Sequence, residues 1–152
     1  MNKLLLILWR LIKGPLQWRA LWLAHSKFVV GVTSVVLNNK KEVLLLRHTY
    51  WPAGSWGLPS GYANSNEKLE DTVVRELYEE TRLNVKVDSL IRVISGYKLR
   101  LEVYYLSHIT GGNLKLDTNE ILEAKFFSVK DLPKGLLGNH REILEEVFSK
   151  QN

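Results

Sequence analysis

Three glutamates in one short stretch carry the strongest chemical signal in this sequence. Glu76, Glu79 and Glu80 stand at i, i+3 and i+4, and on a helix that spacing sets their carboxylates on one surface. Like charges so placed repel by roughly 0.2–0.5 kcal/mol per pair unless a cation lies among them. Leu69, Val73 and Leu77, with Val74 widening the stripe, give that helix an apolar face. Glu76 and Glu80 fall beside this stripe rather than opposite it. Half-buried carboxylates of one sign solubilise a helix poorly. They do suit Mg²⁺ or Mn²⁺, ions that prefer carboxylate and water oxygens. Arg75 stands where it can fix the orientation of one of them.

Just upstream runs Trp56-Gly57-Leu58-Pro59-Ser60-Gly61, a glycine-rich loop entering the helix. Glycine removes the steric barrier to close approach, so backbone oxygens can reach a metal and N–H groups a phosphate. Gly61, Glu67, Arg75-Glu76-Leu77, Glu79-Glu80 and Leu83 keep fixed spacings over 23 residues, and the set resembles the Nudix box. Trp56-Gly57-Leu58-Pro59 is similar to the run that commonly leads into that box. In outline the resemblance covers residues 28–150. It implies a divalent-metal-dependent hydrolase cleaving the pyrophosphate bond of a nucleoside diphosphate linked to another moiety. It further implies that Glu76, Glu79 and Glu80 bind Mg²⁺ or Mn²⁺, with Glu76 also a candidate base for the attacking water. Arg75 would orient these carboxylates, and a backbone carbonyl at Ser60 or Gly61 would complete the metal shell. Glu67 would be a charge partner at the helix start. Many members use a further glutamate on a later loop. Glu120 is the first candidate here and Glu123 the second, against the plainer reading of an acidic turn before a strand.

Two positions depart from the box. Arg82 stands where the helix normally ends in glycine, and a left-handed cap costs arginine roughly 1 kcal/mol. Asn84 could take that conformation instead, which makes the departure a structural variation. Ser60 replaces the first glycine of a proline-glycine-glycine, leaving its carbonyl in place. Tyr50 and Trp51 flank the glycine loop and are candidates to stack on a base, whereas Trp56 reads as core. His48 and His108 read as structural or exposed residues at strand ends, and His25 belongs to the N-terminal segment. Leu99 stands where ADP-ribose pyrophosphatases of the family often carry proline. The marks of the diadenosine polyphosphate and coenzyme A subfamilies are not visible either. Nucleotide sugars, ADP-ribose, CDP-alcohols and (d)NTPs therefore stay open as substrates.

The elements that must position these residues follow from periodicity. Phe28–Leu37 is β-branched and apolar, as in a strand buried on both faces. Asn38–Lys41 is a turn, Glu42–His48 a second strand, and Tyr50–Tyr62 a loop punctuated by glycine and proline. Glu67–Thr81 is a helix. Val85–Ser95 and Leu99–His108 are strands before a turn at Gly111-Gly112. Phe126-Phe127 marks a short strand, and Arg141–Ser149 a closing helix. Strands interleaved with helices give an α/β (α+β) domain, for which the resemblance implies a Nudix-like α/β/α sandwich around a mixed sheet.

At 152 residues, 45% apolar and 24% charged, the chain is long enough for one well-packed domain. Having no cysteine, it is without disulfides, zinc–thiolate sites and thiol nucleophiles, which fits a reducing cytoplasm. The net charge of +5 sits wholly in residues 1–28, which hold five basic residues and no acidic one. The remainder is neutral, so specific nucleic-acid binding is not expected of it. Residues 1–27 thus form a basic, tryptophan-rich segment ahead of a domain at 28–152. Helical spacing sets Lys3, Arg10 and Lys13 opposite Leu4, Leu8, Leu11 and Ile12, an amphipathic arrangement. Gly14-Pro15 then breaks it and opens a second short helix through Trp18 and Trp22. Such a segment either packs on the body or a second copy, giving a homodimer, or lies on a membrane surface through residues 1–25. A membrane contact would favour lipid-linked nucleotides, and would make a cytoplasmic enzyme peripheral. Besides that hydrolase, two further readings stay open: a housecleaning (d)NTP pyrophosphohydrolase, and a catalytically weak Nudix-fold module that binds a nucleotide.

Overall fold

A computed structural model describes residues 9–12 and 14–149. After a helix α1 (Pro15–Ala24) come strands β1 (Val29–Leu37), β2 (Val43–His48) and β3 (Ser60–Tyr62), then helix α2 (Leu69–Thr81). A long hairpin follows, β4 (Leu83–Tyr97) and β5 (Arg100–Gly112), then β6 (Ile121–Phe127) and a closing helix α3 (Gly138–Ser149). The sheet runs in the order β4-β5-β1-β2-β6. β1 pairs with β5 in parallel and with both β2 and β3 antiparallel, so the sheet is mixed.

Alternation along the strands divides the core between the two faces. Val32 and Val36 of β1, Leu44 and Leu46 of β2 and Val103 of β5 pack with Val73 and Leu77 of α2. Val35, Val43, Leu45 and Tyr104 point the other way and meet Ile143, Leu144 and Val147 of α3. Helix, sheet and helix therefore form the expected three layers. One polar seam crosses the centre, where Ser34 Oγ and Ser107 Oγ lie 2.8 Å apart between β1 and β5.

Four local expectations need correction. The end of the glycine loop is strand β3, because Ser60, Gly61 and Tyr62 find partners at Thr33, Val32 and Gly31. Gly111-Gly112 is no turn but the end of β5, paired with Asn84 and Leu83. Gly112 takes φ 90°, and a Cβ there would strike the Arg82 carbonyl oxygen, so glycine serves close strand approach rather than reversal. His108 lies inside β5 beside the Asp88 carboxylate, 2.8 Å away, not at a strand end. Arg82 itself takes the left-handed cap, with φ 60° and ψ 16°, and Asn84 does not. The Arg82 guanidinium lies 5.1 Å from the Tyr78 ring centroid, a contact that offsets part of the strain.

Pro15 opens α1 as expected. The opposed faces expected of residues 3–13 lie mostly outside the described residues. No residue of α1 is buried, and Trp18 and Trp22 are 73% and 62% exposed, so the helix is not packed on the body. No helix among the described residues is long and apolar enough to cross a membrane.

Candidate active site

α2 is anchored by one arginine. Arg75 Nε donates to Glu67 Oε1 at 2.7 Å, and its remaining N–H groups reach Glu76 Oε1 at 2.8 Å, Glu79 Oε2 at 3.2 Å and the Tyr62 carbonyl at 3.0 Å. Glu67 also accepts from the Asn64 N–H and the Thr72 hydroxyl. Hydrogen bonds from Arg75 first, then from the Asn64 N–H, pull its carboxyl down to about 2. The planar fork thus ties the helix to the strand that enters it, and lysine cannot span the same four acceptors. Arg75→Ala is expected to cost roughly 3 kcal/mol in urea denaturation; an unchanged midpoint would refute the anchoring role.

The three box glutamates diverge in environment. Glu79 is exposed and turned to Arg75, and Glu76 is half-buried beside β3. Gly61 makes room for Glu76, since a Cβ at residue 61 would fall on that carboxylate. Burial pushes the Glu76 carboxyl up, against the pull of Arg75. Glu80 is 4% exposed, and its Oε2 is buried with no hydrogen-bond partner. Desolvation, then the charges of Glu76, Glu120 and Glu79, raise its carboxyl to about 8.

Of the two later glutamates, only Glu120 joins this cluster. The loop after β5 is held by the free C-terminal carbonyls of α2: Lys115 N–H donates to Thr81 and Asp117 N–H to Glu80, at 2.9 and 3.0 Å. Thr49 N–H then bonds the Glu120 carbonyl at 2.8 Å, bringing that residue to the end of β2. Glu123 is paired instead with Arg47 across β2 and β6, at 3.1 Å.

His48, expected to be structural or exposed, sits between the carboxylates. Its Nε2 is 4.0 Å from both Glu80 Oε1 and Glu120 Oε2. Nδ1 accepts from the Tyr50 N–H at 3.3 Å, which leaves the ring proton on Nε2, facing the acids. Burial holds its pKa below the usual range, although Glu120 pulls the other way.

A groove opens beside the cluster on the α3 side of the sheet. It comprises a cavity of about 260 Å³ that includes His48, Tyr50 and Gly61, and a neighbour of about 510 Å³ that includes Tyr104, Asn139 and His140; Trp51, Ser60, Arg100 and Glu102 line both. Tyr50 is 77% exposed, and its ring lies 5.0 Å from that of His48. Trp51 is half-buried, edge-on to His140 at 6.1 Å. Trp56 packs edge-on to Phe127 at 4.9 Å, on the α3 side of the core. Ser34 N–H bonds Pro59 O and Ala63 N–H bonds Val30 O. Antiparallel alternation therefore commits the Gly61 carbonyl to β1 and leaves that of Ser60 facing away from it, like Tyr62 O. Arg100 and Glu102 are groove residues that sequence reasoning missed. Their i, i+2 spacing after a strand start was the available signal.

The donors fit a hard divalent cation: oxygens only, of one charge, with one buried oxygen lacking any partner. Among the described residues no three such side chains already stand in a metal-ligating arrangement, because Arg75 draws Glu76 and Glu79 to itself. The family comparison decides the class. A family model described as the NUDIX domain matches residues 27–147. The chain belongs to the Nudix family. An ADP-ribose pyrophosphatase of Methanocaldococcus jannaschii is 31% identical over 128 residues, 81% of this chain and 75% of that one. A Bacillus subtilis protein, named provisionally as an 8-oxo-dGTP diphosphatase, is 29% identical over 120 residues, 78% and 79% of the two chains. An ADP-ribose pyrophosphatase structure from Streptococcus suis superposes with a TM-score of 0.68 at 23% identity, over 82% of this chain and 92% of that one. That last likeness concerns the fold. The protein is a Nudix-type hydrolase, in a family whose members generally use divalent metals.

Proposed function

We propose that this Nudix hydrolase cleaves the pyrophosphate of a nucleoside diphosphate linked to a second moiety, of the ADP-ribose type. The observation that carries this reading is the buried, partnerless Glu80 Oε2 amid like charges, next to His48, which lines one part of a two-part groove. Two connected cavities suit a ligand with a group on each side of its pyrophosphate, and the named activity of the Methanocaldococcus relative supports the same class. A (d)NTP is the second reading, favoured by the name of the Bacillus relative.

Glu76, Glu79 and Glu80, with the Ser60 carbonyl, would hold Mg²⁺ or Mn²⁺. When bound, the ion supplies charge neutralisation for the pyrophosphate and a polarised water. Glu120, half exposed beside His48, takes the proton of the attacking water as the P–O bond breaks to give two monophosphates. Arg75 keeps Glu76 and Glu79 turned to one side. Tyr50 and Trp51 offer aromatic faces to a base. For residues 1–25 we favour contact with a second copy. α1 carries a single charge, Arg19, and leaves Leu16, Trp18, Leu21, Trp22 and Leu23 exposed, an apolar surface of the kind a partner covers. Sedimentation of the full chain against one lacking residues 1–25 tests this, and the same number of chains per particle in both would refute it.

The deciding experiment is product release from ADP-ribose, NADH, CDP-choline, UDP-glucose, GDP-mannose, diadenosine polyphosphates, CoA and the dNTPs, with Mg²⁺ or Mn²⁺. Metal-dependent cleavage of an ADP-ribose-type compound is expected. Preference for a dNTP would favour the second reading, and no cleavage of any compound would refute both.

A further inference from the structure

The floor of the groove contains a charge pair that the catalytic cluster does not use. Register sets Tyr62 of β3, Gly31 of β1 and Glu102 of β5 in one row across the sheet. Partnered residues in such a row present their side chains on the same face. Gly31 presents none, and the Glu102 carboxylate occupies the vacated space: a Cβ at residue 31 would come within 2.7 Å of Glu102 Oε2. Arg100 clamps Glu102 from two positions along the strand through Nε to Oε1. Arg100 is steadied in turn by the Tyr62 hydroxyl at 3.1 Å and by the Tyr62 ring, 5.3 Å from its centroid.

A fixed carboxylate of this kind is an acceptor with a set direction. Its two oxygens offer about four acceptor sites, of which Arg100 takes one. Both groove cavities are lined by Glu102, and the smaller one is also lined by His48. A ligand filling that cavity touches this acceptor and His48, the neighbour of Glu80 and Glu120. Trp51 borders the same space and gives a planar group a surface to lie on.

We propose that Glu102 selects the nucleoside end of the substrate by accepting hydrogen bonds from two adjacent donors. Such a donor pair is offered by the vicinal hydroxyls of a ribose or by the N1–H and N2 amine edge of guanine. A site built around an acceptor discriminates strongly against a ligand lacking the donor, because the oxygen sites that Arg100 does not fill then lose water without gaining a partner. The inference rests on the proposed nucleotide substrate and adds what that substrate must carry.

Isothermal titration with two matched pairs tests it: GDP against IDP, which lacks the N2 amine, and ADP against 2′-deoxy-ADP. The chain is expected to prefer the donor-bearing member of one pair at least tenfold, and that pair names the donor source. In Glu102→Gln the preference should fall below threefold. Gly31→Ala, which keeps both charges but pushes the carboxylate off its seat, should reduce it as well and serves if the Gln variant folds poorly. Equal binding within both pairs, no binding of either, or a preference that survives both substitutions overturns the proposal. Turnover is scored on the same preparations. Cleavage without discrimination removes only the selection role, and absence of cleavage removes only the proposed function.

Discussion

Glu80→Gln is expected to cut turnover by orders of magnitude and, in the same protein freed of metal, to raise the melting temperature. Glu80 is 4% exposed and carries an oxygen with no partner. Burial first, then the neighbouring Glu76, Glu120 and Glu79, lift its carboxyl from 4.5 to about 8. A folded pKa above the unfolded one means that the stability given by the protonated group is full below 4.5 and is lost as pH rises through 8. At pH 7.5 and above the wild-type chain must leave Glu80 protonated against its own tendency, or hold a buried charge. Glutamine has the same shape and no such conflict, so it should gain on the order of 2 kcal/mol, several degrees in Tm. Saturating Mg²⁺ should reverse the order, stabilising the wild type and not the variant. Loss of the carboxylate should lower kcat/KM by about 10²–10³-fold. A variant that melts lower than wild type in EDTA at pH 8, or whose kcat/KM falls by less than about tenfold, would remove Glu80 from the proposed role. A site residue that destabilises its own apo fold is the pattern expected where stability has been exchanged for function.

His140 should show the opposite pH dependence. It is buried at the start of α3, and its Nδ1 accepts the Leu58 N–H at 3.0 Å, so the ring must stay neutral. Burial lowers its pKa from 6.5 to about 4. The unfolded chain therefore takes up a proton that the folded chain refuses. Stability from the neutral ring is full above pH 6.5, declines as pH falls, and bottoms out below about 4. The total is about 3 kcal/mol. Because Glu80 works in the reverse sense between 4.5 and 6.5, the two partly cancel in the wild type. The effect is therefore read as a difference. His140→Asn, whose Oδ1 lies near the place of Nδ1, should be less stable than wild type at pH 7 and should approach it at pH 4.5 in urea titrations. A gap independent of pH would show that the ring matters only by packing.

What could be read from the sequence was what is locally encoded. α2 announced itself because Leu69, Val73 and Leu77 repeat at helical spacing, and the same spacing gathers Glu76, Glu79 and Glu80. β1 and β2 were legible because both of their faces are buried, and unbroken apolar runs follow from that. β4 and β5 run beyond their apolar stretches, because Asn84 and Gly96 interrupt the pattern at the ends of β4 and Gly111-Gly112 at the end of β5 reads as a turn. The rest of the site comes from distant segments. Glu120 reaches Glu80 because an intervening loop bonds the last carbonyls of α2, and no pattern in the loop residues encodes that. His48 faces the acids only because β2 ends where this loop returns. Arg100 and Glu102 enter through the parallel register of β5 on β1, which periodicity does not reveal. Arg82 shows the converse: the departure from glycine was visible, but the choice between Arg82 and Asn84 for the left-handed cap was settled by where β5 approaches.

That parallel register has a consequence for how the protein comes to bind anything. Ser34 of β1 meets the Tyr105 carbonyl of β5 across 71 positions of chain, and the groove floor spans the same distance. Closing so long a loop is entropically costly and slow, and no shorter folding unit contains both walls. A nucleotide in the groove can therefore recognise only the finished sheet. Its binding energy should appear as protection against global unfolding, with slowly exchanging β1 and β5 amides slowed together, rather than as a local stiffening of α2.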